Sequence, residues 1–523
     1  MKSLFVIFLT CLGFSTIILN AQTPILIKDL NPGIASGIDI WYYKGIFFQG
    51  KYFMPGNDGV HGLELFVLEN DMITLFKDIQ IGDKGSAPQN FFIYNDKLYF
   101  TANDTLNGHE VWCTDGSPSG TQRITSIAPG TIYSNPKGFI IGGDNKFYFS
   151  NLDSLYKSDG TTRGTSVVKG IPNIELGENP EASPNATPFQ DGLAVIVNDF
   201  REKSVWLING KAEVKRIFLT QKDTEYNLLG LVNINSGLLF GLSNSLNTKN
   251  IGLYFYYVSD DTVRNIAATV NPDRIEKLDE NYAIIYTSTN EYFVSNGTKN
   301  QTVEILKNAH SSLLRYKPLN FVKCGSNWLF HSHDYFGDRI VSITDGTIAG
   351  TKVAFTHNHF LSTFLQEDDF VFYFTGYTNN YIAELSYYDC KKGITKLIYT
   401  ATDRSVIAPT YTPLFVKNGK YYFVGDIGLG RELYAINTGV VISNINQDFK
   451  SSIEVKQLSD RIYKIVGEVK DYSICLYNTN GQIVLQKKVK AEETFELGSE
   501  FFGLYILNIS HDGLQSNIKL GLF

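Results

Sequence analysis

Residues 114–121 read TDGSPSGT, and the same eight-residue figure returns as SDGTTRGT at 158–165 and TDGTIAGT at 344–351, with a worn copy, SNGTKNQT, at 295–302. Gly116, Gly160, Gly297 and Gly346 can take positive φ without a Cβ clash. The residue before each, Asp115, Asp159, Asn296 or Asp345, carries an oxygen that can bond the backbone two residues on. Between apolar runs, such a pair marks a hairpin turn, and the trailing Gly-Thr begins the next strand. The four turns lie 44, 137 and 49 residues apart, and 137 is close to three units of about 46.

Working outward, a second strand precedes each turn strand. Its copies are KYFMPGND, KLYFTAND, KFYFSNLD, GLAVIVND, GLLFGLSN, NYAIIYTS, NWLFHSHD, FVFYFTGY and KYYFVGDI. They begin near residues 52, 98, 147, 193, 238, 283, 328, 371 and 421, every gap falling between 43 and 50. The turns missing from the DGT series fall at Asn70, Asn209, Asp260, Lys391 and Asn437. Short alternating runs bounded by Gly, Asn and Asp are strands, and 14% aromatic residues, 31 Tyr and 36 Phe among them, suit pleated surfaces. The chain is therefore expected to be all-β. A period of 40 to 50 residues with about four strands predicts a β-propeller of about eight to nine four-stranded units, a stacked solenoid being the alternative. The last unit shows KYYFVG and RELYAIN and then leaves the pattern, while PILIKDLNPG and IDIWYYKG near the N-terminus match the third and fourth strands of a unit. Those two segments are expected to complete the last blade, closing the ring and removing a sheet edge.

Around this array the chain divides in three. Residues 1–21 read as a secretory signal, with Lys2, an apolar run Leu4–Leu19 and a small residue, Ala21, before Gln22. The repeats occupy 22–440. No later run approaches the roughly 18 apolar residues of a spanning helix. Residues 441–523 break the period and read as about seven short strands, SSIEVKQL to SNIKLGLF, the pattern of an immunoglobulin-like sandwich. A net charge of −7 without a basic block argues against nucleic acid as a partner. Cys113, Cys324, Cys390 and Cys475 are scattered with no CxxC, so they are expected as small buried hydrophobes and not as a disulfide framework.

The DGT segments, with HEVWCTDG, SLYKSDG, DGVHGLELF and GLGRELY, resemble the ELWxxDGT repeat of exported bacterial proteins. The resemblance covers residues 25 to about 440 and implies a propeller and export. The hairpin SICLYNTNGQIVLQKKV with Gly481, the strand FFGLYILNIS with Gly503 and Tyr505, and Lys519 near the end resemble the type A sorting domain of the type IX secretion system. An opening Asn-Pro pair and a basic terminus, common in that family, are absent. The resemblance implies an outer-membrane secretion machinery as partner and a secreted or cell-surface destination.

Candidate chemistry is sparse. His331 and His333 share a strand face, and His357 and His359 repeat the spacing, so the four are a candidate zinc set. Asp115, Asp159 and Asp345 are candidate calcium ligands, although turn geometry accounts for them. No nucleophile elbow, zinc-protease helix or phosphate loop occurs. Trp41, Trp112, Trp206 and Trp328 are candidate sugar-stacking rings if they are not core. The function expected is a binding or interaction scaffold for a glycan or protein ligand. The alternative is a propeller hydrolase acting on a polysaccharide or similar polymer.

Overall fold

The computed structural model describes residues 24–438 except 39–44, 105, 128–134, 173, 175, 177–184, 199–202, 221–225, 245–250, 288–290, 307–320, 334–338, 358–359, 362–363, 377–382, 402–411 and 427–430. Beyond residue 438 it describes the strands between 453 and 522. The chain divides at residue 438 into two compact units. Residues 1–21, read as a signal, lie outside the described residues.

The first unit is a nine-bladed β-propeller. Its antiparallel sheets span 46–77, 89–123, 137–167, 186–219, 226–267, 272–306, 322–357, 360–401 and 412–437, the last joined by 25–28. Blade 1 shows the plan: Ile46–Phe48, Lys51–Asn57, Leu63–Glu69 and Met72–Lys77 pair in chain order. In blade 8 the first strand comes in two pieces, Phe360–Leu361 and Leu365–Glu367, both paired to Phe370–Gly376. No α-helix occurs among the described residues, and no helix there is long and apolar enough to cross a membrane.

Second strands are apolar almost throughout, as in GLAVIVN at Gly192–Asn198, where every residue but the last is buried. Both faces of such a strand meet a neighbouring blade, so alternation gives way to continuous apolar runs. The core is accordingly a set of layers between blades. Phe53, Leu65, Leu98 and Phe100 join blades 1 and 2, and Tyr99, Val111, Phe147 and Phe149 join blades 2 and 3. Between blades 8 and 9, Phe374 meets Tyr421 edge-on at 5.2 Å between ring centroids. Offset and edge-on ring pairs add to plain burial, which gives the aromatic-rich composition its use here.

The ring closes through the N-terminal strand, with one correction to the sequence expectation. Blade 9 has three strands of its own, Thr412–Lys417, Lys420–Asp426 and Arg431–Asn437, and only Ile25–Lys28 is added, as the outermost strand. KYYFVG and RELYAIN are thus second and third strands, not first and second. The true first strand, TPLFVK, is hard to read because Pro413 sits at a register shift in its pairing. Of the segment IDIWYYKG, residues 39–44 lie outside the described residues. The next strand, Ile46–Phe48, opens blade 1. Phe47 packs edge-on against Phe415 at 4.6 Å, and Asp71 of blade 1 bonds Lys420 and the Tyr422 hydroxyl of blade 9. Nine interfaces, the last joining chain ends, make a ring and not a solenoid.

A second correction concerns the cysteines. Cys324 and Cys390 form a disulfide with Cα atoms 5.3 Å apart, while Cys113 and Cys475 are free and buried. Cys324 ends the first strand of blade 7 and Cys390 follows the third strand of blade 8, 66 residues on. Nothing in that spacing announces a pair. The ring brings the first turn of each blade against the third–fourth turn of the next, and the two cysteines occupy those places.

Among the described residues the second unit holds seven strands. Ile453–Ser459, Ile462–Gly467 and Thr494–Glu496 form one antiparallel sheet. Asp471–Tyr477, Ile483–Lys490, Gly503–His511 and Leu514–Leu522 form another. Ile474 and Leu476 are fully buried.

Candidate binding surface

Antiparallel strands put the connections of every blade at two ends. First–second and third–fourth turns share one face of the ring. Second–third loops and the exit loops to the next blade share the other.

The DGT turns belong to the first face, and their chemistry is spent within the fold. In the second blade, Asp115 Oδ1 accepts from the Ser117 amide at 2.9 Å and its hydroxyl at 2.7 Å. Thr114 Oγ1 accepts from Gly116 N at 3.1 Å and from the Thr121 hydroxyl at 2.9 Å. Asp159, Asn296 and Asp345 repeat the first contact, and hydroxyl pairs Ser158–Thr165, Ser295–Thr302 and Thr344–Thr351 repeat the second. Bonds from neighbouring Ser or Thr hydroxyls hold Asp115, Asp159 and Asp345 below the usual carboxylate range. Gly116, Gly160, Gly297 and Gly346 have φ of 95°, 87°, 87° and 91°. A Cβ on Gly297 would lie 2.2 Å from the Phe255 ring of the preceding blade, so the turn also needs the close approach. These residues dock blades.

The opposite face is organised by three glutamates that belong to the repeat signature but show no role when read in sequence. Glu64, Glu110 and Glu432 occupy the same place in the third strands of blades 1, 2 and 9, and each is fully buried. Glu432 accepts from Leu30 N at 3.0 Å and Gly37 N at 2.8 Å, the two arms of one exit loop. Glu64 accepts from Ile79 N at 3.1 Å, Gln80 N at 2.8 Å and the Ser86 hydroxyl at 2.6 Å, again both arms. Glu110 accepts from Ile127 N at 2.7 Å and the Thr125 hydroxyl at 2.5 Å. Burial pushes the carboxyls of Glu64 and Glu432 up, against the pull of these donors. Asp78 and Asp29, which follow the fourth strands in the same two loops, push in the same direction. The one sequence signal was the Glu shared by LELF, HEVW and RELY; its partners are up to 402 residues away.

Each clamped loop is knitted to its neighbours. Gly37 O accepts from Asn57 N at 2.8 Å, and Ser86 O accepts from Asn103 N at 2.8 Å. Asp58 bonds the amides of Val60 and His61, and its other oxygen meets His61 Nδ1 at 2.8 Å. That bond to Asp58 raises the His61 pKa. In blade 2, Asp104 and Asn107 make the same lock, so His61 serves here as a loop fastener. From these fixed loops project Ile34 (88% exposed), Ile81 (86%), Leu106 (84%) and Val60 (64%), and from the second–third turn of blade 3 projects Leu152 (59%). All five lie on one face, in the exit loops of blades 9 and 1 and the second–third loops of blades 1, 2 and 3.

The histidines are placed in part. In backbone register His333 pairs with Arg339 and Arg339 with His357, while His331 pairs with Val341. The side chains of His331, His333 and His357, and all of His359, lie outside the described residues, as does Gly481. Trp41 does too. Trp112 and Trp206 pack against inter-blade layers, and Trp328 is buried under Lys323. Among the described residues no three His, Cys, Asp or Glu side chains gather as a metal-holding group.

Strand order, inter-blade packing and closure define the class: a nine-bladed, ring-closed β-propeller. No protein-family model matches the chain, and no curated protein matches it. Solved structures similar to it include one of two prolyl endopeptidases (12% identity, 76% of this chain and 55% of that one, TM-score 0.40). The chain thus spans about half the length of that protein. A computationally designed protein, Ika8, is 11% identical over 78% of this chain and 100% of its own, with a TM-score of 0.37. An oligogalacturonate lyase from Vibrio parahaemolyticus is 12% identical over 67% and 90%, with a TM-score of 0.35.

Proposed function

We propose that the chain is an exported binding scaffold whose clamped loop face makes the contacts, with the C-terminal unit as its sorting domain. The observation that carries the binding role is the set of five exposed aliphatic tips on one face, two of which, Ile34 and Ile81, stand in exit loops clamped by the buried carboxylates of Glu432 and Glu64. Exposed apolar residues gathered on one face mark interaction sites, and fixing the loops beforehand lowers the entropic cost of association.

Export is supported by the signal-like residues 1–21 and by the Cys324–Cys390 disulfide, since structural disulfides persist in oxidising compartments. The sorting role rests on the motif resemblance and on seven strands in two sheets, a count that suits an immunoglobulin-like sandwich. Gly503, Tyr505 and Lys519 all lie in its last hairpin, where Tyr505 pairs with Leu520 and Lys519 with Ile506.

Binding is tested on a glycan array and a panel of purified surface proteins, comparing the full chain with an Ile34→Ser/Ile81→Ser/Leu106→Ser variant. The expected result is a ligand lost by the variant at unchanged melting temperature. Ligand retention by the variant would remove the loop face from the function, and turnover of a polysaccharide in a parallel hydrolase screen would favour an enzyme. For export, secreted protein should begin near Gln22, and a chain ending at Thr438 should stop in the periplasm. Normal secretion of that truncated chain would end the sorting assignment.

A further inference from the structure

Resting on the loop-face reading, we propose that the occupant of this face is a second copy of the chain, so that two propellers associate face to face about a twofold axis. Ile34, Val60 and Ile81 stand on loops that touch one another, with Leu106 and Leu152 on the same face of the next two blades. A Cβ on Gly59 would lie 2.6 Å from Asn31 Oδ1, and one on Gly62 the same distance from Asp83 O. At their high exposure, the five tips offer on the order of 500 Å² of apolar surface. That is the scale at which patches on a monomer become interaction sites, and a large share of the roughly 800 Å² each partner of a standard interface buries.

Charge decides between occupants. Three carboxylates around the tips have a cationic side chain beside them in space or in sequence. Asp58 is bonded to His61, Asp104 lies 3.8 Å from Arg123, and exposed Asp83 precedes exposed Lys84 in sequence. An apolar face with no cationic excess among these described residues does not attract an anionic membrane or an anionic polymer. Adjacent opposite charges are self-complementary under a twofold, because Lys84 of one copy can face Asp83 of the other. The tips are aliphatic, whereas sugar rings are met by aromatic faces, and Ile34 and Ile81 are pre-positioned by clamped loops that do not have to be ordered on contact.

The test is sedimentation of the full chain over a concentration series, beside the Ile34→Ser/Ile81→Ser/Leu106→Ser variant and an Asp83→Lys variant. All substituted side chains are exposed, so melting curves should be unchanged and report that folding is intact. The expected result is a reversible dimer, weakened at least about a hundredfold by the triple variant. Asp83→Lys should weaken it about tenfold, and adding Lys84→Asp should restore it. A wild-type monomer at the highest concentrations, or a dimer indifferent to the triple variant, overturns the inference. If the wild type is monomeric and the triple variant still loses a ligand on the array, the dimer fails while the binding reading stands.

Discussion

At the scale of single residues, the same carboxyl group does two jobs on opposite faces. On the turn face, Asp115 and Asp345 are exposed and Asp159 half-buried, and all three are held below their ordinary pKa by hydroxyl and amide donors. A depressed folded pKa means the stabilisation is full above the unfolded value of about 3.9 and is lost as pH falls through the folded value. The triple Asp→Asn variant should therefore melt like the wild type near neutrality and lose less stability on acidification below about pH 4. Asn296 already makes the same turn without a titrating group. A melting-temperature series from about pH 6 to about pH 2.5 checks this. On the loop face the consequence is larger. Glu64→Ala removes an acceptor for three donors and should cost about 3 kcal/mol, measured by chemical denaturation. Glu64→Gln, which keeps one acceptor oxygen, should cost less. The legibility of these residues differs for a physical reason. An Asp-Gly turn closes its bonds within eight residues and can be read in place. A buried glutamate whose donors lie 15 to 402 residues away cannot.

At the scale of elements, short strands and one covalent link carry the joints. Blade 2 ends in Gln122–Arg123 and blade 3 in Ser166–Val167, two-residue strands too brief to show alternation. Their neighbours supply what they lack: Val111 N bonds the Thr125 hydroxyl where a longer strand would offer a carbonyl. The disulfide between blades 7 and 8 closes a 66-residue loop, for which chain entropy gives about 4 kcal/mol. A Cys324→Ser/Cys390→Ser variant should lose stability of that order, and reductant should lower the wild-type melting temperature without affecting the variant. The N-terminal strand is the other joint. Removing residues 22–31 takes away Ile25–Lys28 and buried Leu30, and leaves Glu432 short of a donor. Thermal unfolding should then register a loss of about 5 kcal/mol. An unshifted transition would mean that the ring does not depend on its closing strand.

At the scale of the whole molecule, a propeller of nine blades is held by its closure. Asp71–Lys420, Phe47–Phe415 and the Glu432 clamp all join the chain's beginning to its ninth blade, so the ring is complete only when both ends are present. Slow steps in refolding should accordingly respond to substitutions at this seam and not to those in the third blade, which stopped-flow refolding of Phe415→Leu against Phe149→Leu would distinguish. The amino-acid sequence alone determined that the chain is all-β, that it repeats about nine times with a period near 46, and that its turns use Asp-Gly geometry. Each of these is written in neighbouring residues, where φ preference, alternation and local hydrogen bonding act within a few positions. Tertiary structure decided that one N-terminal strand and not two completes the last blade, that Cys324 meets Cys390, that three glutamates fasten distant loops, and that five aliphatic tips gather on one face. Those depend on which blades become neighbours, and a pairing across tens or hundreds of residues leaves no pattern in the residues beside either partner.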